Sequence, residues 1–261
     1  MKKILFDETH GEVSRINDVS QSGMSFLGKD LSKLEYNIVP ITGKLENSLK
    51  KVSVEEGIKE YFKGKSVLWI SFPTTEFDTK EREAVFEFVK SGGGLLLTAE
   101  WGDIFGNVNK LNAISEKFGM KFRTDRVTDN TSSYTEKIEI IGEVIGVARI
   151  PQFLKVKNFR ERHPIAKEIK EIGYFAGCSI EAPDEKWLAW SGNESFRDLN
   201  ANAKWDPGEA VGASGLVCIS EYEKGRVACM GDTSIITNKY IHYADNRQFG
   251  VNLMEWLSRE I

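Results

Sequence analysis

The first residues that could do chemistry follow a short apolar run near the start of the chain. Residues 4–13 read ILFDETHGEV, which places Asp7, His10 and Glu12 within one short segment. A histidine beside carboxylates suits acid–base work, because imidazole titrates near neutral pH and nearby charges shift its pKa. Three interpretations are open for this segment: part of an active site, a metal site, or the polar end of a buried strand.

Similar polar segments follow three later apolar runs. They read SFPTTEFD (71–78), TAEWGD (98–103) and GDTS (231–234). In a parallel sheet, ligands bind beyond the carboxyl ends of the strands. If these runs are strands of one sheet, their polar ends meet along one edge, and we expect that edge to bind a ligand. The candidate ligand-binding residues are His10, Glu12, Glu100, Trp101, Asp103, Asp232 and Ser234.

The elements that must position these residues alternate between strand and helix. Residues 3–7, 36–41, 66–72 and 94–100 are short apolar runs, as is typical of strands covered on both faces. Between the last two runs, Asp78 and Glu81 have the spacing of a capping box, and Gly92 is a helix stop. Strand, helix and strand at this pitch predict right-handed crossovers and a mainly parallel sheet.

The second half of the chain has a looser pattern. Residues 136–147 are predicted to form strand with turn glycines, 163–169 to begin a helix at Pro164, and 187–192 to form a short strand. Residues 215–232 predict a hairpin that turns near Gly225, and the end of the chain predicts a helix docked on the sheet. The glycine-rich segment 191–215 is predicted to be a long surface loop. With no repeat or linker, we expect one domain over 1–261.

Each candidate also has a purely structural interpretation. Asp7 and Asp232 can accept hydrogen bonds from the next turn, and Trp101 can close the core with its indole N–H bonded. His10 is either a solvated loop residue or part of a pocket, and we expect its replacement by alanine to cost little stability. Metal binding needs three or four ligands held together, whereas the sequence offers His10 with scattered carboxylates. We therefore expect no metal ion and no cofactor.

Two further features argue against other functions. The triple glycine at 92–94 follows a helix and precedes a strand, which is the reverse of a phosphate-binding loop. The net charge of -4 gives no electrostatic reason to expect nucleic acid or an anionic membrane as partner. No segment is long enough to span a bilayer, and the N-terminal apolar run is too short for a signal peptide, so we expect a cytoplasmic protein.

The three cysteines suit a reducing compartment. Cys178, Cys218 and Cys229 show no paired metal-ligand spacing such as CxxC, and small buried apolar residues are their favoured interpretation. Cys218 and Cys229 flank the turn of the predicted hairpin. The spacing leaves both two buried thiols and a disulfide open.

Several segments together resemble one family. They are FDETHGE, FDTKEREAVFEFVKSGGGLLLTAEWGD, NKLNAISEKFGM, HPIAKEI and the closing GRVACMGDTSIITN with DNRQFGVNLMEWL. This order resembles the class I glutamine-amidotransferase-like superfamily. The nearest branch is the non-catalytic one with the N-terminal domain of an intraflagellar-transport subunit and the gliding-motility transporter-associated protein. The resemblance implies an α/β, flavodoxin-like three-layer sandwich with a mainly parallel sheet and, here, a late β-hairpin.

The catalytic residues of that superfamily have no counterparts in this chain. Its enzymes carry a cysteine nucleophile at a strand-to-helix turn, where this sequence has Glu100 or Trp101, and a later His-x-Glu, where it has Asp232 and Ser234. A thiolate needs a base within hydrogen-bonding reach. We therefore expect no glutamine hydrolysis by that mechanism.

Three functions remain open at this stage. The first, which we favour, is a non-catalytic binding or scaffold domain for an unknown small polar molecule, such as a sugar, or for a protein partner. The second is a hydrolase or transferase that uses Glu100, Asp232 and His10 without a Cys-His-Glu triad. The third is a structural subunit of a larger assembly. We expect His10 or Glu12 to lie near Glu100 and Asp232.

Overall fold

The computed structural model describes residues 2–55, 66–140 and 143–261. In this part of the chain the helices are α1 (Ser25–Lys33), α2 (Leu45–Glu55), α3 (Thr79–Lys90), α4 (Asn107–Ser115) and α5 (Asn246–Leu257). The strands of the first half are β1 (Lys2–Asp7), β2 (Tyr36–Ile41), β3 (Ser66–Ser71), β4 (Gly94–Thr98), β5 (Lys121–Phe122), β6 (Arg126–Thr128) and β7 (Ser133–Ile140). Those of the second half are β8 (Glu143–Val156), β9 (Asn158–Phe159), β10 (Ile172–Phe175), β11 (Ile180–Glu181), β12 (Trp187–Trp190), β13 (Phe196–Asp198), β14 (Gly215–Tyr222) and β15 (Gly225–Met230).

The main sheet has the strand order β2-β1-β3-β4-β15-β14-β11-β5. The first five strands in this order, β2 to β15, are parallel to one another. The next strand, β14, pairs with β15 in antiparallel fashion. The carboxyl ends of β1, β3, β4 and β15 therefore lie along one edge, which we call the C-terminal edge. The predicted mainly parallel α/β fold is confirmed.

Alternation along the strands builds two hydrophobic layers. On β3, Val67 and Trp69 belong to one buried cluster and Leu68 and Ile70 to the other. Helices α1 and α5 cover the first face, and α2, α3 and α4 cover the second. Both faces of the parallel strands are buried, which explains why their sequences are continuously apolar. The result is the three-layer arrangement expected for a flavodoxin-like fold.

Helix α3 begins and ends as predicted. The Asp78 carboxylate accepts a hydrogen bond from the Glu81 backbone N–H, and the Glu81 carboxylate accepts one from the Asp78 N–H, so the capping box is complete. At the other end, Gly92 has a φ of 118°, which glycine adopts without strain. The triple glycine is thus a helix stop and a tight turn before β4.

The late hairpin is also confirmed. Strands β14 and β15 pair in antiparallel fashion, with Tyr222 opposite Gly225 at the turn. Cys218 and Cys229 are direct partners in this pair, and both are fully buried free thiols. Helix α5 docks on the sheet through a buried apolar face as predicted, made by Phe249, Leu253, Trp256 and Leu257.

Other predictions need correction. The segment 191–215 is not only loop, because it contains β13, which pairs with β6. Residues 136–147 fall within the paired strands β7 and β8, and positions 141–142 lie outside the described residues. At 163–169 the helix is a single short turn, Pro164–Ala166. Helices α1, α2 and α4 were not predicted. Within the described ranges, no helix has the length and apolar character needed to cross a bilayer.

Candidate functional site

The structure gathers polar side chains of the C-terminal edge into two clusters. The first, which we call the His10 cluster, consists of Asp7, His10, Glu12 and Glu81. The second, which we call the Glu100 cluster, consists of Glu100, Asp232 and Ser234. The His10 cluster combines the loop after β1 with Glu81 of α3, and the Glu100 cluster combines the loops after β4 and β15.

The His10 cluster forms because the chain turns sharply after β1. The Asp7 carboxylate accepts hydrogen bonds from the backbone N–H of Thr9 at 3.0 Å and from its hydroxyl at 2.7 Å, which starts the turn. Gly11 then adopts a φ of 67°, in the left-handed region. The Thr74 backbone N–H donates to the His10 carbonyl at 2.8 Å and fastens the turn to the loop after β3. This turn brings together side chains three and five positions after Asp7.

His10 lies between two carboxylates. Its Nδ1 is 2.7 Å from an Asp7 oxygen, and its Nε2 is 3.2 Å from Glu81 Oε2. The ring also packs on Phe77, with 3.9 Å between the ring centroids. Only 3% of His10 is exposed, so the solvated-loop interpretation is wrong, and burial is a reason to expect a larger loss of stability on its replacement than the sequence indicated.

Burial and neighbouring charges together set the pKa values in this cluster. Burial by itself lowers the pKa of His10, but the hydrogen bonds and charges of Asp7 and Glu81 outweigh it and leave that pKa raised. Burial, reinforced by the charge of Asp7, raises the pKa of Glu12 to about 8. The raised pKa of His10 favours the protonated imidazole between Asp7 and Glu81, and the raised pKa of Glu12 favours the un-ionised acid.

The Glu100 cluster joins the loops after β4 and β15. The Ser234 hydroxyl donates to Glu100 Oε1 at 3.1 Å, and the Ser234 N–H donates to Asp232 Oδ1 at 2.8 Å. The other Asp232 oxygen accepts a hydrogen bond from the Phe175 N–H. Asp232 is fully buried, whereas Glu100 and Ser234 are half-buried. Asp232 thus has a structural role at the turn, one of the two interpretations proposed from the sequence.

Two carboxyl groups share this cluster, and they influence each other. Burial and then the charge of Asp232 raise the pKa of Glu100 well above its usual value. Burial also raises the pKa of Asp232, but the N–H groups of Phe175 and Ser234 oppose that shift. Because backbone N–H groups stabilise the ionised form of Asp232, we assign the proton of the pair to Glu100.

The loop between β4 and α4 presents aromatic side chains in an unusual backbone. Asp103 and Phe105 have φ values of 52° and 55°, a region that side-chain-bearing residues seldom occupy. Phe105 is 67% exposed, and Trp101 is half-buried, with the Arg126 guanidinium carbon 5.3 Å from its ring centroid. The Asp103 carboxylate accepts the backbone N–H of Asn109 at 3.1 Å and is therefore tied to helix α4.

The structure thus separates residues that the sequence analysis grouped together. In the strand order, β3 lies between β1 and β4, and β15 comes after β4. At the usual strand spacing, the ends of β1 and β15 are about 14 Å apart. The hydrogen-bond partners of the His10 ring are Thr9, Asp7 and Glu81 rather than Glu100 or Asp232. His10 and Glu12 share the C-terminal edge with the Glu100 cluster but form their own cluster.

The carboxylates around His10 are not scattered, contrary to our expectation. One ligand atom from each of Asp7, His10 and Glu12 lies within 4.8 Å of the others. Glu81 was missed as a member, although its capping-box role was predicted. Its contact with His10 joins residues 71 positions apart, and no local sequence pattern encodes such a contact. Arg126, which covers Trp101 and pairs with Asp198 at 2.8 Å, also had no sequence signal.

The three cysteines lie in the core rather than at the edge. Cys178, Cys218 and Cys229 are each 0% exposed, and burial raises the pKa of all three thiols above the usual value. A nucleophilic cysteine requires the opposite, namely an accessible thiol with a lowered pKa. None of them has the environment of a nucleophile.

Comparison with solved structures supports the fold. The chain is similar to the mmIFT52 N-terminal domain, with 17% identity, a TM-score of 0.69 and coverage of 98% of this chain and 97% of that one. It is also similar to a cytoplasmic protein from Salmonella typhimurium LT2, with 14% identity, a TM-score of 0.58 and coverage of 98% and 99%. A ThuA-like protein from Parabacteroides merdae has 13% identity, a TM-score of 0.53 and coverage of 100% and 90%.

Comparisons at the level of sequence define the family. None of the curated proteins compared with the chain matches it. A family model matches residues 42–254, which is well over half of the sequence. The chain therefore belongs to the family described as domain of unknown function DUF4350.

Proposed function

We propose that this chain is a non-catalytic binding domain whose partner is a protein and whose contact surface is the loop between β4 and α4. The observation that carries the proposal is Phe105, which is 67% exposed on a loop held in left-handed backbone conformations. Strained backbone tends to persist where function requires it. A rigid, exposed aromatic side chain suits a protein interface, where such residues contribute much of the binding energy.

The surroundings of Phe105 support a defined contact surface. Its ring lies 6.2 Å from that of Phe72, at the end of β3, and the Lys110 ammonium donates to the Phe105 carbonyl at 2.8 Å. Lys110 therefore restrains the loop from α4. A loop whose backbone is already restrained loses less conformational freedom on binding, which favours affinity.

A small polar ligand such as a sugar is the second candidate. Half-buried Trp101 beside Glu100 and Ser234 favours it, since aromatic rings stack on sugars while carboxyl and hydroxyl groups bond their hydroxyls. Arg126 already covers part of the indole. This contact reduces the ring area that a sugar could use, and it makes the protein partner the better supported choice.

The alternative of a hydrolase or transferase built from Glu100, Asp232 and His10 finds less support. Both oxygens of Asp232 accept backbone N–H groups, and the side chain is fully buried. His10 is engaged by Asp7 and Glu81 in the other cluster. A general acid or base must reach the proton that it transfers, and these contacts keep both residues away from a common substrate.

Membership of the class I glutamine-amidotransferase-like superfamily remains part of this proposal and rests on fold similarity.

The test places a photo-crosslinking amino acid at position 105 and, as a matched control, at Val147, which is similarly exposed at 64%. A discrete adduct at position 105 and none at 147 is expected. The adduct partner is then purified, and its affinity is measured for the unmodified chain and for Phe105→Ala. We expect the alanine variant to bind roughly tenfold more weakly. Equal affinity would contradict the proposed surface. If the unmodified chain binds a sugar and Trp101→Ala does not, the second candidate is favoured.

A further inference from the structure

One carboxylate oxygen in the His10 cluster is buried without a donor. Glu12 is 3% exposed, and its Oε1 has no hydrogen-bond partner in the part of the chain that the structure describes. A buried polar atom without a partner is costly, and native structures contain few of them. The side chain of Glu12 belongs with Asp7 and His10 to a group in which each residue offers one ligand atom within 4.8 Å of the others. A cation bound here would give this oxygen a partner and would favour the ionised form of Glu12 over the acid.

The spacing of the three side chains suits a metal ion. One ligand atom from each lies within 4.8 Å of the others, and His10 Nδ1 is already 2.7 Å from Asp7 Oδ2. Ligands bound tetrahedrally to Zn²⁺ at about 2.0–2.2 Å are about 3.4 Å from one another. Shifts of about 1 Å would therefore bring the observed atoms to that geometry.

The opposite atoms of the same three side chains are held by the protein. Asp7 Oδ1 accepts the Thr9 N–H at 3.0 Å, and Glu12 Oε2 accepts the His10 N–H at 3.1 Å. His10 Nε2 lies 3.2 Å from Glu81 Oε2. In metal sites, a carboxylate on the second nitrogen of a histidine ligand fixes the orientation of the ring and the atom that faces the metal. The cluster has this arrangement.

The charges point the same way. Three carboxyl groups surround one imidazole, and among the described residues no lysine or arginine forms an ion pair with Asp7, Glu12 or Glu81. A divalent cation would compensate this excess of acidic groups. The imidazole ligand favours transition metals over Mg²⁺ and Ca²⁺, which prefer oxygen ligands.

We propose that Asp7, His10 and Glu12 bind a divalent first-row transition-metal ion such as Zn²⁺, with Glu81 as the positioning residue. On binding, the ion displaces the proton between His10 Nδ1 and Asp7 and the proton of Glu12, both of which pass to solvent, and Nε2–H donates to Glu81. Gly11, which lies in sequence between the buried ligands His10 and Glu12, is exposed to solvent. The site is separate from the Phe105 loop and does not depend on the proposed function.

Calorimetric titration of the metal-stripped full chain with ZnCl₂ tests the site. We expect one Zn²⁺ per chain, and binding of MgCl₂ weaker by about 100-fold or more. Glu12→Gln should weaken Zn²⁺ binding roughly tenfold or more. The same variant should melt no lower than the unmodified chain when metal-free, because it removes a buried acidic group. A residue that only stabilises the fold would not show this combination.

Further variants distinguish the proposed metal ligands from residues that do not bind the metal. His242→Ala, which removes an exposed histidine, should bind Zn²⁺ unchanged. Glu81→Ala should lower the affinity about tenfold and alter the visible absorption of bound Co²⁺, and Glu81→Gln, which retains an acceptor for Nε2–H, should restore most of both. The proposal is overturned if the metal-stripped chain takes up no stoichiometric Zn²⁺, or if Glu12→Gln binds it as tightly as the unmodified chain.

Discussion

The His10 cluster and the Glu100 cluster occupy the same edge of the sheet but solve the burial of acidic groups differently. In the Glu100 cluster, both oxygens of Asp232 accept backbone N–H groups. In the His10 cluster, backbone N–H groups reach only one oxygen each of Asp7 and Glu12, the second Asp7 oxygen contacts the His10 ring, and the second Glu12 oxygen has no partner among the described residues. Backbone donors are built into the fold, whereas side-chain partners can be exchanged for a ligand. The comparison favours a structural role for Asp232 and a binding role for His10.

Among the variants that test this comparison, His10→Ala in metal-free buffer is expected to have the largest effect on stability. The substitution leaves the carboxylates of Asp7 and Glu81 without their shared imidazolium and removes the ring packed on Phe77. We expect the free energy of unfolding to fall by about 3 kcal/mol, since breaking a buried ion pair leaves uncompensated charge. Urea denaturation measures it, with His242→Ala as the control. A loss below about 0.5 kcal/mol, typical of a surface substitution, would contradict the burial of His10.

Asp232→Ala should have a somewhat smaller effect. The variant leaves the N–H groups of Phe175 and Ser234 without an acceptor, but it also removes a fully buried carboxylate whose desolvation is costly. We expect a loss of about 2 kcal/mol in the free energy of unfolding. The exposed Asp184→Ala provides the control in the same denaturation experiment and should change stability by less than about 0.5 kcal/mol. If Asp232→Ala loses no more free energy of unfolding than Asp184→Ala, Asp232 is not the structural acceptor that its contacts indicate.

The pH dependence of stability sharpens the comparison further. Burial and the charge of Asp232 raise the pKa of Glu100, so the folded chain binds its proton more tightly than the unfolded chain does. The share of stability that is linked to Glu100 is therefore fully present at acidic pH and falls as pH rises above the usual carboxyl range, by at most about 1.4 kcal/mol per pH unit for one proton. Glu100→Gln removes this share of the dependence.

The measurement is the urea midpoint of both proteins between pH 5 and 8. We expect the unmodified chain to lose stability with rising pH more steeply than Glu100→Gln, so that the variant gains relative stability toward pH 8. The His10 cluster titrates in the same direction but is common to both proteins. Parallel pH profiles would show that Glu100 ionises freely in the folded chain.

The smallest expected effect is on glutamine hydrolysis, because neither cluster contains a nucleophilic thiol. Cys178, Cys218 and Cys229 are fully buried, and their pKa values are raised. We expect no release of ammonia from glutamine above the rate without protein, measured by a coupled dehydrogenase assay. Release that disappeared in a cysteine-to-alanine variant would show that one of these thiols becomes accessible.

Much of the fold could be predicted because its signals are local. The apolar runs of β1, β3 and β4 indicated buried parallel strands, and the Asp78–Glu81 spacing predicted the start of α3. The helices that were missed, such as α1, have weaker signals: no acidic residue in the first turn and no side-chain cap. Strand β13 was missed because it is short and is specified by pairing with β6 rather than by its own residues.

The site could be predicted only in part. The sequence indicated that polar residues end the strands, which is correct, but not which of them meet. Strand order places β3 between β1 and β4 and so separates His10 from Glu100. The turn at Gly11 then brings Asp7, His10 and Glu12 together, which spacing alone did not reveal.

The sequence by itself determined the period of the apolar residues, and with it the parallel strands, the helix cap and the edge at which polar side chains collect. Only the tertiary structure decided that Glu81 reaches His10, that Arg126 covers Trp101, and that Cys218 and Cys229 are free thiols. The physical reason lies in the range of the interactions. Periodicity and capping act over a few residues, whereas desolvation and charge pairing depend on neighbours that strand order brings from distant parts of the chain.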